Sequence, residues 1–335
     1  MRSEITVQKY DANYEKIWDE FVLKESVNGT FLQTRSFLNY HPENRFKDAS
    51  YIMFDLKGHI IAVCPACMLE ENGEKTFYSH MGSTYGGLVI AQKKYNAESV
   101  IAIINALENR AIEDGYNKIV LKPTSDLFAR REGALVEYCL YYKKYRSYDE
   151  LNLYMDLDYI SDNILSLFAQ GKRTNVHNCE KAGLIVRQIE NKQEISDFYN
   201  ILCETLEKYH RKPVHTYEEL VLLKEHILKD KMGFFGCFMD GEMIAGSMMF
   251  YFENVMNAHT QYLCAKHKYD KLSPMTYMYY AMIVEMKKRG YHKLCWGITT
   301  EHLGNELNMG LTRSKEAYGS KYSLLRTFEK TLMGE

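Results

Sequence analysis

The chain has 335 residues, of which 46% are hydrophobic and 26% are charged, as in ordinary folded globular proteins. At roughly 100–200 residues per domain this length predicts two domains, and 5 prolines with 20 glycines exclude a collagen-like or low-complexity chain. The formal net charge of −2 argues against nucleic-acid binding through overall charge.

The sequence contains no segment that predicts a membrane span or an export signal. The most apolar stretch, residues 233–252, is interrupted by Asp240 and Glu242, whereas a spanning helix needs roughly 20 apolar residues in a row. The N-terminus is charged from Arg2 onward and has no apolar signal-peptide core. We therefore expect a cytoplasmic protein.

The first half of the chain predicts a strand meander that leads into a helix and a closing strand. Gly58 lies in the turn of the hairpin, and Gly115 ends the helix, whose apolar residues recur at helical spacing. The predicted elements are the hairpin 51–63, strands at 76–78 and 87–90, a helix over 97–114 and a strand at 118–122.

Eight cysteines occur, and only Cys64 and Cys67 are close in sequence, as Cys-Pro-Ala-Cys. A zinc site would need a second close pair, and a redox site would place the pair at the start of a helix. This pair lies instead in an extended apolar run. We predict structural thiols in a reducing compartment and no metal site.

The segment from about residue 137 to 186 joins the two halves. It predicts a half-buried strand over 151–157 and a helix over 161–170. Five tyrosines alternate with lysine and arginine at its start, a pattern that suits stacking on nucleic-acid bases but also an amphipathic linker that packs between domains. We favour packing for these tyrosines, which are Tyr138, Tyr141, Tyr142, Tyr145 and Tyr148.

The second half repeats the order of the first. A Gly-Tyr pair precedes the closing strand in both halves, as Gly115–Tyr116 and Gly290–Tyr291, which indicates a duplicated unit. We therefore predict one domain over residues 1–150 and another over 151–335, both of mixed α/β class. The second set comprises a hairpin over 234–246 with its turn at Asp240–Gly241, strands at 247–251 and 258–264, a helix over 275–289 and a strand at 292–296.

Several short segments resemble the FemAB-like branch of the GNAT acyltransferase superfamily, including its BioF2-like acetyltransferases. The resemblance spans residues 31–328 and rests on the segments 30–34, 80–87, 213–215, 259–262, 296–304 and 308–319. It implies two tandem GNAT-like domains that share a central cleft. It also implies an N-acyltransferase of cell-envelope or surface-polysaccharide biosynthesis, whose acceptor is an amino group, plausibly on a nucleotide- or lipid-linked amino sugar.

The resemblance implies that an acyl-CoA such as acetyl-CoA is the donor. In this family the donor lies between two splayed strands, with its pyrophosphate at the start of a helix. The stretch 266–275 contains no glycine, although close backbone approach to a pyrophosphate normally needs one. An aminoacyl-tRNA donor and a non-catalytic binding module therefore stay open as alternatives. The implied donor-binding residues are Gln261, Tyr262, Lys266, Lys268, Ser273, Met275 and Thr276, with Ser273 as helix cap before Pro274.

Three residues are candidates for proton transfer. Glu301 follows a strand end and is a candidate base, or else a carboxylate in the first turn of a helix. His259 shares a strand face with Gln261 if side chains alternate, and is either a base or a hydrogen-bonded structural residue. His215 either lines the acceptor groove or belongs to a helix-entry loop that is capped by Thr216 and Glu219.

The remaining candidates concern the substrate. The glycine-rich segment 80–87 is either a cleft-lining loop or a hairpin turn with a bulge. Lys315 would contact a substrate phosphate or sugar by resemblance, although a Lys-Glu pair is usually solvated surface. The implied substrate-binding residues are His80, Tyr85, Gly86, Trp296, Thr299, Asn308 and Lys315.

Overall fold

Strands account for much of the computed structural model, which describes residues 5–208 and 210–332. The predicted mixed α/β class is confirmed. The strands are β1 (Thr6–Lys9), β2 (Lys47–Asp48), β3 (Tyr51–Phe54), β4 (Ile60–Cys64), β5 (Cys67–Glu71), β6 (Glu74–Ser79), β7 (Val89–Ile90), β8 (Lys118–Leu121), β9 (Arg146–Asp156), β10 (Ile185–Ile189), β11 (Met232–Met239), β12 (Glu242–Phe252), β13 (Asn257–Ala265), β14 (Lys293–Ile298), β15 (Thr300–Glu301), β16 (Glu306–Leu307) and β17 (Lys321–Thr331).

The helices range from one turn to more than four turns. In the part of the chain that the structure describes, no helix combines the length and the apolar character that a membrane crossing requires. They are α1 (Glu15–Glu20), α2 (Arg35–Leu38), α3 (Ala97–Glu113), α4 (Ala134–Tyr142), α5 (Gln170–Lys181), α6 (Lys192–Glu207), α7 (Tyr217–Leu222), α8 (Pro274–Lys288) and α9 (Met309–Glu316).

The chain forms two compact units. The first contains residues up to 149 together with the segment from 325 onward, and the second contains residues 150–324. The sequence predicts that the whole of 151–335 belongs to the second domain. The structure differs at the C-terminal end, because Phe328–Thr331 pair antiparallel with β8 and so complete the sheet of the first unit.

The first unit contains two sheets, with strand orders β1-β3-β4-β7 and β17-β8-β6-β5-β2. The predicted hairpin is present as β3 and β4, with Gly58 at a φ of +78° in its turn. The predicted helix is α3, whose buried face includes Ile103, Ile104 and Leu107. Cys64 ends β4 and Cys67 begins β5, and burial raises the pKa of both thiols.

The second unit contains a run of paired strands in the order β10-β11-β12-β13-β14-β9 and a separate two-stranded sheet of β15 and β16. Its neighbours are antiparallel except β13 and β14, which run parallel because α8 connects them. α8 and α6 both pack on β12 and β13. Phe198 of α6 contacts Phe234, whereas the α8 side of the core contains Phe235, so the two helices cover opposite faces of the sheet.

One predicted helix is wrong. Over 161–170 the structure has only a short 3-10 turn at Ile164–Leu167, and the helix α5 follows at Gln170–Lys181. Ile164 and Phe168 are apolar because this irregular segment packs into the core. α5 buries only Val176 and Cys179, so its sequence carries too little apolar periodicity to indicate a helix.

The tyrosine-rich segment forms α4 and the start of β9. Tyr138, Tyr141 and Tyr142 are exposed on the helix, whereas Tyr145 is buried in the core of the first unit. Tyr145 therefore packs within the first unit, whereas the predicted packing is wrong for the three exposed helical tyrosines.

Two neighbouring residues on α8 test how much this helix contributes to the second unit. Ile283 is fully buried and Val284 is 37% exposed. Ile283→Ala should lower the free energy of unfolding by about 2–5 kcal/mol, because it leaves a cavity in the core. Val284→Ala should change it by about 0.5 kcal/mol or less. Equal effects in urea titrations would contradict the assigned helix face.

Candidate active site in the second unit

The parallel strands β13 and β14 separate part-way along their length. They pair at only three positions, from Asn257–Lys293 to His259–Cys295, although β13 continues to Ala265 and β14 to Ile298. Beyond His259 and Cys295 the two strands no longer pair, and this unpaired stretch is called the opening below.

Irregular registers accompany this divergence. The pairing of β13 with β12 shifts at Gln261, and the pairing of β14 with β9 shifts at Trp296. An extra residue bends a strand away from regular pairing. His259 and Gln261 lie on the same side of the strand, as predicted, and their side chains are hydrogen-bonded. The alternation ends after Gln261, since residues 261–263 are all half-buried. In the first unit, by contrast, all four residues of β8 pair with β6.

Lys315 of α9 holds the separated end of β14. Its ammonium donates to the carbonyl oxygens of Trp296 at 2.8 Å, Gly297 at 3.0 Å and Ile298 at 3.0 Å. The side chain is only 4% exposed, so the solvated-surface interpretation is wrong. An ammonium has three N–H donors, and all three are used here. Burial lowers the pKa of Lys315 to about 8.

His259 is the last residue of β13 that pairs with β14. Burial lowers the pKa of its imidazole to about 4, and the charge of Lys315 acts in the same direction. The ring is therefore neutral at pH 7 and can accept a proton or a hydrogen bond.

His215 meets Tyr262 beside the opening. The Nδ1 atom of His215 lies 2.8 Å from the Tyr262 hydroxyl, and burial raises the pKa of Tyr262 to about 12. The predicted capping box of Thr216 and Glu219 is confirmed at the start of α7. His215 therefore lies in a helix-entry loop and also contacts the strand that forms the opening.

Glu301 lies in the short hairpin of β15 and β16, so the helical alternative is wrong. One carboxylate oxygen lies 3.2 Å from Nη2 of Arg211, and the other accepts from Nδ2 of Asn308 at 3.2 Å. The side chain is 35% exposed, which leaves it accessible to a substrate. Sequence reasoning missed Arg211, which is distant in the chain and belongs to no motif.

The loop from β13 to α8 includes a 3-10 helix at His267–Leu272. Glu242 accepts from Lys266 at 2.7 Å, from Lys268 at 2.8 Å and from the Tyr269 hydroxyl at 2.6 Å. These hydrogen bonds lower the pKa of Glu242 to about 2. Both lysines predicted to bind donor phosphate thus bind a carboxylate of the chain itself.

Of the two features predicted for the start of α8, the proline at its first position is present and the serine cap is absent. Pro274 is its first residue, but Ser273 has a φ of +60° and makes no capping bond, because its hydroxyl accepts from Asn175 at 3.1 Å. Thr276 is buried with its hydroxyl 3.2 Å from that of Tyr318. Met275 packs against the core.

A lysine also approaches this helix start. Lys172 donates to the hydroxyls of Tyr318 at 3.1 Å and Ser314 at 3.2 Å. Sequence reasoning missed Lys172 because the helix that carries it, α5, was not predicted.

The remaining candidates of the second unit make contacts within that unit. Trp296 is buried with its ring 4.5 Å from that of Tyr279, and its Nε1 has no acceptor among the described residues. The Thr299 N–H donates to the Leu151 carbonyl at 2.8 Å. Asn308 caps α9 through a 3.0 Å bond from the Leu311 N–H. Residues 5–208 and 210–332 contain no group of three or more metal-ligating side chains.

The candidates in the first unit have different surroundings. His80 accepts from the Gly82 N–H at 3.0 Å and lines a cavity of about 450 Å³. Tyr85 is buried against Phe128. Gly86 has no room for a side chain, since a Cβ would lie 2.4 Å from a carbonyl carbon of Ser79. Gly86 is thus required for backbone packing.

Removal of the Lys315 ammonium should destabilise the second unit. Lys315→Met leaves three carbonyls without their donor, and we expect the free energy of unfolding to fall by about 3 kcal/mol. Lys224 is a matched control, because its ammonium also donates to two carbonyls but is partly exposed. Lys224→Met should cost about 1 kcal/mol or less. Equal losses in denaturant titrations would contradict the role given to Lys315.

The imidazole of His259 should titrate near pH 4 in the folded protein, well below its ordinary pKa of 6.5. Because the unfolded chain binds this proton more tightly, the contribution of His259 to stability is lost as the pH falls from about 6.5 to 4. Imidazole NMR resonances followed against pH measure the midpoint. Lys315→Met should raise it, and a wild-type midpoint near 6.5 would contradict the described burial.

No protein-family model matches the chain, and no curated protein matches it in sequence. Solved structures do match. FemX superposes with a TM-score of 0.70 at 12% identity, over 97% of this chain and 97% of that chain. L-PGS from Bacillus licheniformis gives 0.61 at 13% identity, over 96% and 92% of the respective chains.

A tandem GNAT protein from the clavulanic acid biosynthesis pathway gives a TM-score of 0.56 at 7% identity, over 99% of this chain and 100% of that chain. At such low identities the similarity concerns the fold. The predicted resemblance to the FemAB-like branch is confirmed at that level, and the chain has the tandem GNAT fold.

Proposed function

We propose that this chain is an N-acyltransferase that moves an acyl group from an activated donor to an amino group. The observation that carries the proposal is the opening in the second unit, where β13 and β14 separate after three paired positions. Strands that separate in this way present backbone N–H groups that can polarise the carbonyl of an acyl donor. The neighbouring ionisable groups supply the proton transfers.

In the proposed step the amine nitrogen attacks the acyl carbonyl, and an N–C bond forms. The C–S bond of a thioester, or the C–O bond of an ester, breaks. Glu301 is the proposed base for the amine proton, and His259 is a second acceptor because its ring is neutral. The pair of Tyr262 and His215 is the proposed route by which the leaving group receives a proton.

Acyl-CoA, with acetyl-CoA as the simplest case, is the first donor to test. The proposed contacts are the opening itself and the start of α8, where Lys172 brings a positive charge close to the first turn. Gln261 and Tyr262 of β13 are proposed to contact the acyl part of the donor, and Met275 and Thr276 lie at the helix start.

Aminoacyl-tRNA is the second candidate donor, and one observation favours it. The loop before α8 contains no glycine, and its lysines bind Glu242 instead of lying free for a pyrophosphate. An aminoacyl ester presents no diphosphate at this position. Similarity to FemX and to L-PGS is consistent with this donor.

The acceptor class comes from the family resemblance alone. We propose an amino group on a nucleotide- or lipid-linked amino sugar in cell-envelope synthesis, handled in the cytoplasm. The proposed contact of the acceptor is Trp296, whose Nε1 has no hydrogen-bond acceptor among the described residues.

The donor is tested by direct binding and by transfer. Isothermal titration with acetyl-CoA, and separately with an aminoacylated RNA minihelix, identifies which one binds. Mass spectrometry then follows transfer to a panel of amino sugars. Failure of every donor to bind at millimolar concentration would refute the enzyme and leave a non-catalytic module.

Glu301→Gln removes the proposed base while keeping nearly the same shape. We expect kcat to fall by about 10²–10⁴-fold with the donor Kd unchanged. Glu306→Gln is the matched control, because Glu306 lies opposite Glu301 in the same hairpin and faces solvent. If both variants retain wild-type kcat, Glu301 is not the base.

A further inference from the structure

Three donors of one loop converge on a single carboxylate. The Lys266 ammonium, the Lys268 ammonium and the Tyr269 hydroxyl lie 2.6–2.8 Å from the oxygens of Glu242. Two cations and a hydroxyl in this arrangement are also a suitable set of ligands for a phosphate group, which accepts charge-assisted hydrogen bonds of the same kind. The carboxylate therefore occupies the position that a phosphate would take.

The backbone fixes this arrangement beside the opening. Glu242 is the first residue of β12, directly after the turn at Asp240–Gly241. The Lys266 N–H donates to the Ile244 carbonyl at 2.9 Å, which keeps the start of the loop next to the start of β12. The same loop leads from β13 into α8, so along the chain its lysines lie between the end of β13 and the start of that helix.

The side chains that form these contacts are partly exposed to solvent, so an incoming anion can take the place of the Glu242 carboxylate. The side chains of Glu242 and Lys268 are 39% and 59% exposed, so water screens their attraction. An incoming phosphate carries more charge than a carboxylate and can displace Glu242 at a modest cost. Glu242 itself stays ionised at any working pH, because its hydrogen bonds lower its pKa to about 2.

We propose that Glu242 is an intramolecular competitor for phosphate at Lys266, Lys268 and Tyr269, and that it sets donor specificity by weakening donors that carry a diphosphate. The role of Glu242 in donor specificity rests on the proposed function. The anion site itself depends only on the contacts described.

Glu242→Gln tests the proposal through binding alone. Titration calorimetry with inorganic pyrophosphate and with CoA should give affinities roughly 5–20-fold higher than for the wild type, and the gain should shrink at high salt. The control is Glu285→Gln, which breaks an ion pair with Arg289 near the other end of α8. That variant should bind both probes as the wild type does.

Two further variants test the same anion site. Lys266→Gln together with Lys268→Gln in the Glu242→Gln background should abolish the gain. Should Glu242→Gln fail to fold, as judged by circular dichroism, Glu242→Asp shortens the carboxylate and should give a smaller gain. Unchanged or weaker pyrophosphate binding in a folded variant would overturn the proposal.

These experiments distinguish failure of the proposed anion site from failure of the proposed transferase. Tighter pyrophosphate binding by Glu242→Gln, in a chain that transfers no acyl group, supports the anion site and refutes the transferase. Acyl transfer by the wild type, with no change in pyrophosphate binding in the variant, refutes the anion site alone.

Discussion

The separation of β13 and β14 depends on a buried ammonium. Lys315 satisfies three successive carbonyl oxygens at the end of β14, which would otherwise need N–H partners from β13 or water. A buried charge is costly, and here its cost is offset because every N–H has an acceptor. β14 can therefore separate from β13, while it stays paired with β9, without leaving these carbonyls unsatisfied, and the opening follows from that exchange of partners.

A comparison of the two units shows how this exchange of hydrogen-bond partners changes the sheet. Both contain a parallel pair of strands connected through a long helix, but β8 pairs with β6 along its whole length. In the second unit, the equivalent pair of strands lacks part of its hydrogen-bond ladder, and a polar opening takes the place of the missing pairs. The first unit thus has a regular parallel pair of strands, and the second unit has an interrupted one.

Local sequence signals predicted most of the fold of each unit. The turns at Gly58 and Asp240–Gly241, the helix α8 and the capping box at Thr216 all depend on neighbouring residues. The missed features depend on residues that are distant in sequence. Burial of Lys315 needs the end of β14, and occupation of Lys266 and Lys268 needs Glu242 on another strand. Lone polar residues give no periodic signal of such contacts.

Electrostatics around the opening favour a neutral nucleophile. A primary amine is mostly protonated in water at pH 7 and cannot attack a carbonyl until it loses that proton. The charge of Lys315 already disfavours protonation of His259, and it acts in the same way on any amine bound nearby. The acceptor in the proposed reaction therefore enters as the free amine, or gives its proton to Glu301, whose carboxylate lies 3.2 Å from Arg211. In the proposed reaction, the same buried cation would therefore help to keep the attacking amine neutral.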